Sequence, residues 1–190
     1  QDPNDEPASV LLERIRVEKE QLIKDGKIKR GKNESVIFRR DNSHYEKING
    51  KDVCIDDEIP FEIPETWAWT RWGALSYSIQ YGYNAPALES GKVKMVRISD
   101  IQNNTVLWDS VPYCVIKESE IPEYLLEPND ILFARTGGTV GKSFLVSTVP
   151  EPAIYAGYLI RTRYSKDLCP RYLKFFMESP LYWEQLKEGP

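Results

Sequence analysis

Residues 130–147 (Asp-Ile-Leu-Phe-Ala-Arg-Thr-Gly-Gly-Thr-Val-Gly-Lys-Ser-Phe-Leu-Val-Ser) constrain this chain more than any other stretch. Its two ends, residues 131–134 and 143–146, are short apolar runs rich in β-favouring side chains, and they read as strands. Gly137, Gly138 and Gly141 lie between them, with Arg135 on one side and Lys142 on the other. Glycine reaches backbone conformations closed to other residues and lets another chain come close. A turn of this kind, carrying two cations and exposed amides, is a natural seat for a phosphate. The plainer reading, an ordinary glycine-rich β-hairpin, fits these residues equally well.

A nucleotide-binding P-loop does not fit. That motif needs a glycine five residues before the Gly of Gly-Lys-Ser, and Thr136 stands there. The segment after Lys142 has the texture of a strand, so no helix amino terminus would point at a phosphate. The run from Thr136 to Gly141 also lacks the strand-to-helix setting of a dinucleotide cofactor loop.

A chain of 190 residues suits one domain with an appendage. No apolar run approaches membrane-spanning length and no signal-peptide pattern opens the chain, so a soluble cytoplasmic protein without membrane contact is expected. The first residue is Gln1 rather than methionine, as in a fragment. Cys54, Cys114 and Cys169 include no Cys-x-x-Cys pair and read as three buried, reduced thiols rather than a metal site. His44, the single histidine, has no spaced partner that marks a catalytic base and is expected on the surface. The net charge of −4 opposes a polyanionic partner only mildly. Residues 24–47 hold eight Lys or Arg against four Asp or Glu, whereas residues 51–66 hold one against six. The acidity is local, and a binding face elsewhere can be basic.

Three regions follow. Residues 1–50 combine an amphipathic helix beginning at Ala8, with Leu11, Leu12, Ile15, Leu22 and Ile23 on one face, and a basic segment from Lys27 to Arg40 that includes Lys32. Gly26 is its expected stop. That helix face packs on its own domain or docks on a partner. The basic segment is either solvated surface or a contact with DNA backbone. Residues 51–66 read as an acidic, proline-containing connector, and its carboxylates as solvated rather than as a nuclease metal site. Residues 67–190 form the main body. The Trp67–Trp72 alternation is expected to open a sheet, and residues 76–86 to form a loop dense in aromatics and amides. Residues 92–98 and 105–108 read as strands, 121–126 as one helical turn, and 153–161 as a strand pair or one bent strand. Helices are expected over 171–177 and, after the Ser179-Pro180 cap, to Lys187.

Five of these pieces, in this order, resemble a target-recognition domain of the specificity subunit of type I restriction-modification enzymes. They are the opening Asp2-Pro3-Asn4-Asp5-Glu6-Pro7-Ala8-Ser9 with its helix, Ile59-Pro60-Phe61-Glu62-Ile63-Pro64-Glu65-Thr66-Trp67, Val96-Arg97-Ile98-Ser99-Asp100-Ile101, the glycine hairpin, and the closing helices over 172–186. The resemblance implies a non-catalytic reader of double-stranded DNA. In that family each of two such domains reads half of a split site, and chemistry resides in partner modification (methyltransferase) subunits and a restriction (motor-nuclease) subunit. The spacer helices and second domain of the family are missing between Gln1 and Pro190, as in a truncated half.

The expected fold is α/β (α+β), a twisted, mostly antiparallel sheet with peripheral helices. Arg135, Lys142 and Lys94 are candidates for phosphate or groove contacts, with Lys92 and Arg97 on the same strand as Lys94. Tyr81, Tyr83, Asn84 and Thr136 are candidates for base edges, because sequence is read there rather than on the backbone. Gly137, Gly138 and Ser143 complete the DNA-binding set. No cofactor, metal or catalytic residue is expected. The rivals are a methyltransferase or nuclease fragment, against which stands the lack of an Asn-Pro-Pro-aromatic or Asp-Pro-Pro-aromatic motif, and a protein-interaction module built on the first helix.

Overall fold

The computed structural model describes residues 4–31 and 34–188. Lys32 of the basic segment and Asp2 and Pro3 of the opening motif lie outside the described residues. The chain divides into two compact units, one running up to Ser78 with Tyr164–Asp167, the other Ile79–Arg163 with the chain from Leu168 onward.

In the first unit the amphipathic pattern forms helix α1 (Ala8–Lys24). Gly26, at φ +71°, turns the chain out of it, with the Gly26 amide donating to Ile23 O (3.0 Å) and the Lys27 amide to Leu22 O (2.9 Å). Its fully buried residues are Ile15 and, one turn later, Lys19. The Lys19 ammonium is satisfied by the Gly73 carbonyl (3.0 Å) and Glu34 (3.3 Å). Periodicity places a cation on the polar face; a neighbouring carboxylate brings this one inside.

The basic segment and the acidic connector are two halves of one structure. Strands β1 (Ser35–Arg40), β2 (Ser43–Ile48) and β3 (Lys51–Cys54) form an antiparallel meander. Its turns, Asp41-Asn42 and Asn49-Gly50, have positive φ at both central residues, the geometry that matches strand twist in two-residue hairpins. Arg40 pairs with Asp52 (3.1 Å), and Arg71 grips Glu46 (3.0 and 2.6 Å) and Glu58 (2.7 Å). Residues 51–54 are therefore strand rather than tether, and much of the basic charge is neutralised where it arises. His44 is buried, not on the surface, and its amide donates to Asp56 (2.6 Å). Cys114 is buried, whereas Cys54 and Cys169 are exposed.

The buried Glu46 carboxylate lies below its ordinary range, chiefly through the Arg71 guanidinium and further through the Ser35 hydroxyl. A depressed carboxylate contributes stability above its unfolded pKa and loses it as pH falls through the folded one. The first unit's resistance to urea is expected to fall on acidification below the ordinary Glu value of 4.5. Glu46→Gln should flatten that acid limb and cost about 1–3 kcal/mol at neutral pH. An unchanged limb in the variant would show that Glu46 is not its source.

Two expectations fail where the chain passes on. Residues 72–75 form the short helix α2 (Trp72–Leu75) rather than opening a sheet, and the aromatic stretch behind it is strand β4 (Ser76–Tyr81), the loop starting only at Gly82.

The second unit adds β5 (Val93–Val96), β6 (Ile101–Gln102), β7 (Thr105–Val106), β8 (Tyr113–Cys114), α3 (Ile121–Tyr124), β9 (Ile131–Ala134), β10 (Ser143–Leu145), β11 (Ala153–Tyr155), β12 (Leu159–Tyr164), α4 (Pro170–Phe176) and α5 (Pro180–Glu188). The class is α+β, but the single sheet expected is several small ones: β10-β9-β12-β4, β11-β5-β8 and the β6-β7 pair. Ladders β9·β10, β9·β12, β5·β8 and β6·β7 are antiparallel, and β5·β11 is parallel. The glycine hairpin forms with Phe144 opposite Leu132, and residues 153–161 are two strands in different sheets. Strands β5 and β11 are covered on both faces. Val93, Met95 and Ile154 enter one apolar cluster, while Val96, Ala153 and Tyr155 enter a larger one with Leu132 and Leu159. Among the described residues no helix is long and apolar enough to cross a membrane.

Candidate nucleic-acid interface

Three segments of the second unit are bonded together around the end of its sheets. The Gly82 amide donates to Leu159 O (3.0 Å), the Tyr83 amide to Tyr155 O (2.8 Å) and the Arg135 amide to Tyr158 O (3.1 Å), and Tyr83 bridges Ala156. The glycine turn, the loop after β4 and the link between β11 and β12 thus share one face.

On that face the Arg135 guanidinium stacks over the Tyr81 ring at 4.5 Å, both groups exposed. Stacking holds the guanidinium plane without consuming its donors. Next to it Tyr83, Asn84, Arg97 and Tyr158 line a concavity of about 440 Å³. Asn84 is exposed and lies against Gly157, where a Cβ would come within 2.0 Å of its Oδ1. Only glycine there leaves room for the carboxamide. Tyr83 is half-buried and its hydroxyl donates to Glu120 (3.3 Å). Burial, more than the Glu120 charge, raises that phenol's pKa.

Lys142, exposed, and Ser143 line a second concavity of about 470 Å³. Thr136, Gly137 and Gly138 are exposed between Arg135 and Lys142. Among the described residues neither Arg135 nor Lys142 pairs with a carboxylate. The turn's amides are less open than expected: Val140 donates to Gly137 O (3.2 Å), Gly141 to Ala134 O (2.9 Å) and Lys142 to Thr139 O (3.0 Å). Gly141, at φ +83°, is buried beneath Trp183 and Leu186, and its carbonyl accepts from Tyr182 (2.9 Å), whose phenol burial pushes up to about 12. The cations, not a nest of free amides, are what this turn offers.

The other cations differ. Lys94 is only 6% exposed, because both faces of β5 are covered. Its ammonium is held by Trp108 O (2.7 Å), Glu151 (3.0 Å) and the Tyr113 ring (5.5 Å), so as placed it meets no phosphate. Arg97 is half-buried and gripped by buried Asp100 through its amide (2.8 Å), Nε (3.0 Å) and Nη2 (2.7 Å), leaving its charge largely neutralised. Lys92 is exposed and pairs with exposed Glu118 (2.7 Å), a contact that solvent weakens. Tyr158 and Gly157 went unremarked in the sequence, although Ala-Gly-Tyr between two strands marks a tight link. Among the described residues no cluster of three His, Cys, Asp or Glu could hold a metal.

No family model matches the chain. It is 36% identical over 138 residues, 70% of its length, to the type I restriction enzyme EcoAI specificity subunit of Escherichia coli. It is also 29% identical over 208 aligned positions, spanning its whole length, to the EcoEI specificity subunit of the same organism. A third relative, the EcoKI specificity subunit of Escherichia coli strain K12, is 31% identical over 90 residues. The chain spans 20%, 31% and 19% of these three relatives, a third of their length at most.

Proposed function

We propose that this chain, which belongs to the type I restriction specificity-subunit family, holds one half-site of double-stranded DNA and carries no chemistry of its own. The observation that carries the reading is a pair of exposed cations without carboxylate partners: Arg135, stacked on Tyr81 and joined through its amide to Tyr158 of the first concavity, and Lys142, which lines the second. Unpaired cations supply the sequence-independent attraction to phosphate. Arg135, fixed in plane by Tyr81, meets phosphate or a guanine edge, and Asn84 offers an adenine the donor and acceptor it needs. Thr136, Tyr83 and the backbone at Gly137 and Gly138 complete the contact, while Ser143, its hydroxyl oxygen enclosed, stands beside Lys142 without offering that oxygen as placed. Arg97 lines its edge, Lys92 stands at the other end of the same strand as a more distant phosphate contact, and enclosed Lys94 supports the strand. In the whole subunit the bound half-site directs partner modification and restriction subunits, which perform the reactions.

Lys142→Ala and Arg135→Ala are each expected to weaken binding to every duplex and to lower the salt slope by about one. Asn84→Ala should instead relax preference at one base pair by about 1–3 kcal/mol. Titrations of labelled duplexes at several salt concentrations measure both effects. Three variants indistinguishable from the parent would remove the reading.

A further inference from the structure

The hairpin β6–β7 is built to present its tip. Ile101 and Val106 face each other in register and both pack into the larger apolar cluster. Beneath them the Leu107 amide donates to Asp100 O (2.9 Å), and buried Asp100 holds Arg97. The root is thus fixed by apolar packing and a neutralised ion pair. Two residues further out, Asn103 and Asn104 make the turn at φ 50° and 57°. Asn-Gly or Gly-Gly would serve that turn as well, so the conformation alone does not call for two asparagines. Both side chains are exposed, and neither carboxamide has a partner among the described residues. They line the same concavity as Ser99, Thr139, Lys142 and Ser143, which sets two free amides beside an unpaired cation. The Ser143 hydroxyl also lacks a partner, but its oxygen is enclosed and is not offered to the concavity.

We infer that the Asn103–Asn104 tip is a second reading element for duplex DNA, its carboxamides meeting an adenine edge in the major groove while Lys142 holds the adjoining phosphate. The inference rests on the DNA reading above. A two-stranded ribbon fits a groove of about 12 Å, and an asparagine pairs bidentately with adenine N6 and N7. A phosphate contact beside it fixes register without carrying sequence information.

The test is selection from a random duplex pool at low salt by the 190-residue chain, compared with the double variant Asn103→Gly, Asn104→Gly. Glycine adopts positive φ freely, so the turn survives without its amides. The expected result is an unchanged salt slope with preference lost at one or two A·T pairs, roughly 5- to 150-fold at each. Asn104→Asp keeps the side chain's size but removes the donor, and should move preference from adenine toward cytosine. Unaltered preferences in both variants would overturn the inference while leaving the DNA reading intact. A uniform loss of affinity with a smaller salt slope would overturn it as well, since the tip would then contact backbone. A parent chain that selects no sequence would end both readings.

Discussion

Arg161→Ala is expected to destabilise the second unit by about 3–5 kcal/mol, a large share of the roughly 5–15 kcal/mol that holds a domain folded. Arg161 is only 2% exposed, and no carboxylate is among its hydrogen-bond partners. Its guanidinium donates to Leu125 O (2.6 Å), Glu123 O (2.9 Å) and Gln80 Oε1 (2.5 Å), and lies 5.1 Å over the Tyr155 ring. Burial lowers its pKa, so desolvation is a real cost that these acceptors offset. Truncation removes this donor from all three acceptors and leaves a cavity where the guanidinium lay; Leu125 O keeps the Arg163 donor (2.9 Å), and each unreplaced hydrogen bond costs about 1–3 kcal/mol before water or relaxation relieves some of it. Arg161→Lys keeps the charge but loses the planar fork, and should recover about half of the loss. Urea unfolding followed by tryptophan fluorescence measures both variants. A cost below about 1 kcal/mol for the alanine would mean that solvent readily replaces the guanidinium. The residue also matters to the proposed face, because Gln80 directly precedes Tyr81, on which Arg135 stacks.

That network was not legible in the sequence. Residues 153–161 read only as strand, and nothing local marks Arg161 as enclosed or Arg163 as bound to buried Asp130 (2.8 Å). The carbonyls and carboxylate that satisfy them come from residues tens of positions away, which no local pattern contains. Lys94 eluded the sequence for a related reason, since alternation signals a half-exposed strand and β5 is covered on both faces. What was legible depended on short-range chemistry. The glycine hairpin, the Ser179 cap, whose hydroxyl accepts from the Tyr182 amide (3.3 Å), and α1 with its glycine stop all lie near their expected places. The β1–β3 meander carried a local signal too, Asn49-Gly50, which the contrast between basic and acidic stretches obscured. Of the candidate face, its exposed cations could be anticipated, but the Tyr81–Arg135 stack and the Asn84–Gly157 contact join residues remote in sequence.

Gly82→Ala should be the most damaging glycine substitution in the second unit, because the new methyl would meet backbone. A Cβ there would lie 2.3 Å from the carbonyl oxygens of both Tyr155 and Ala156, neither able to rotate away like a side chain. The Tyr155 oxygen already accepts from the Tyr83 amide (2.8 Å), and the Gly82 amide itself donates to Leu159 O (3.0 Å). Relief therefore requires parting the two segments that join the loop after β4 to the β11–β12 link. An expected cost of about 3 kcal/mol exceeds ordinary overpacking because the chain itself must move, and lowers the melting temperature by roughly 6–12 °C in a protein of this size. Gly138→Ala is the control: nothing lies within 4 Å of its Cβ, so a change within about 0.5 kcal/mol is expected although it sits in the glycine turn. If the two variants melted together, the close approach at Gly82 would not be what holds the reading face in place. If they separate as expected, any Gly82→Ala protein that still folds should bind duplex DNA less well than the parent chain at equal salt. The altered spacing would carry Tyr81 and Asn84 away from the positions that Arg135 and Gly157 now fix.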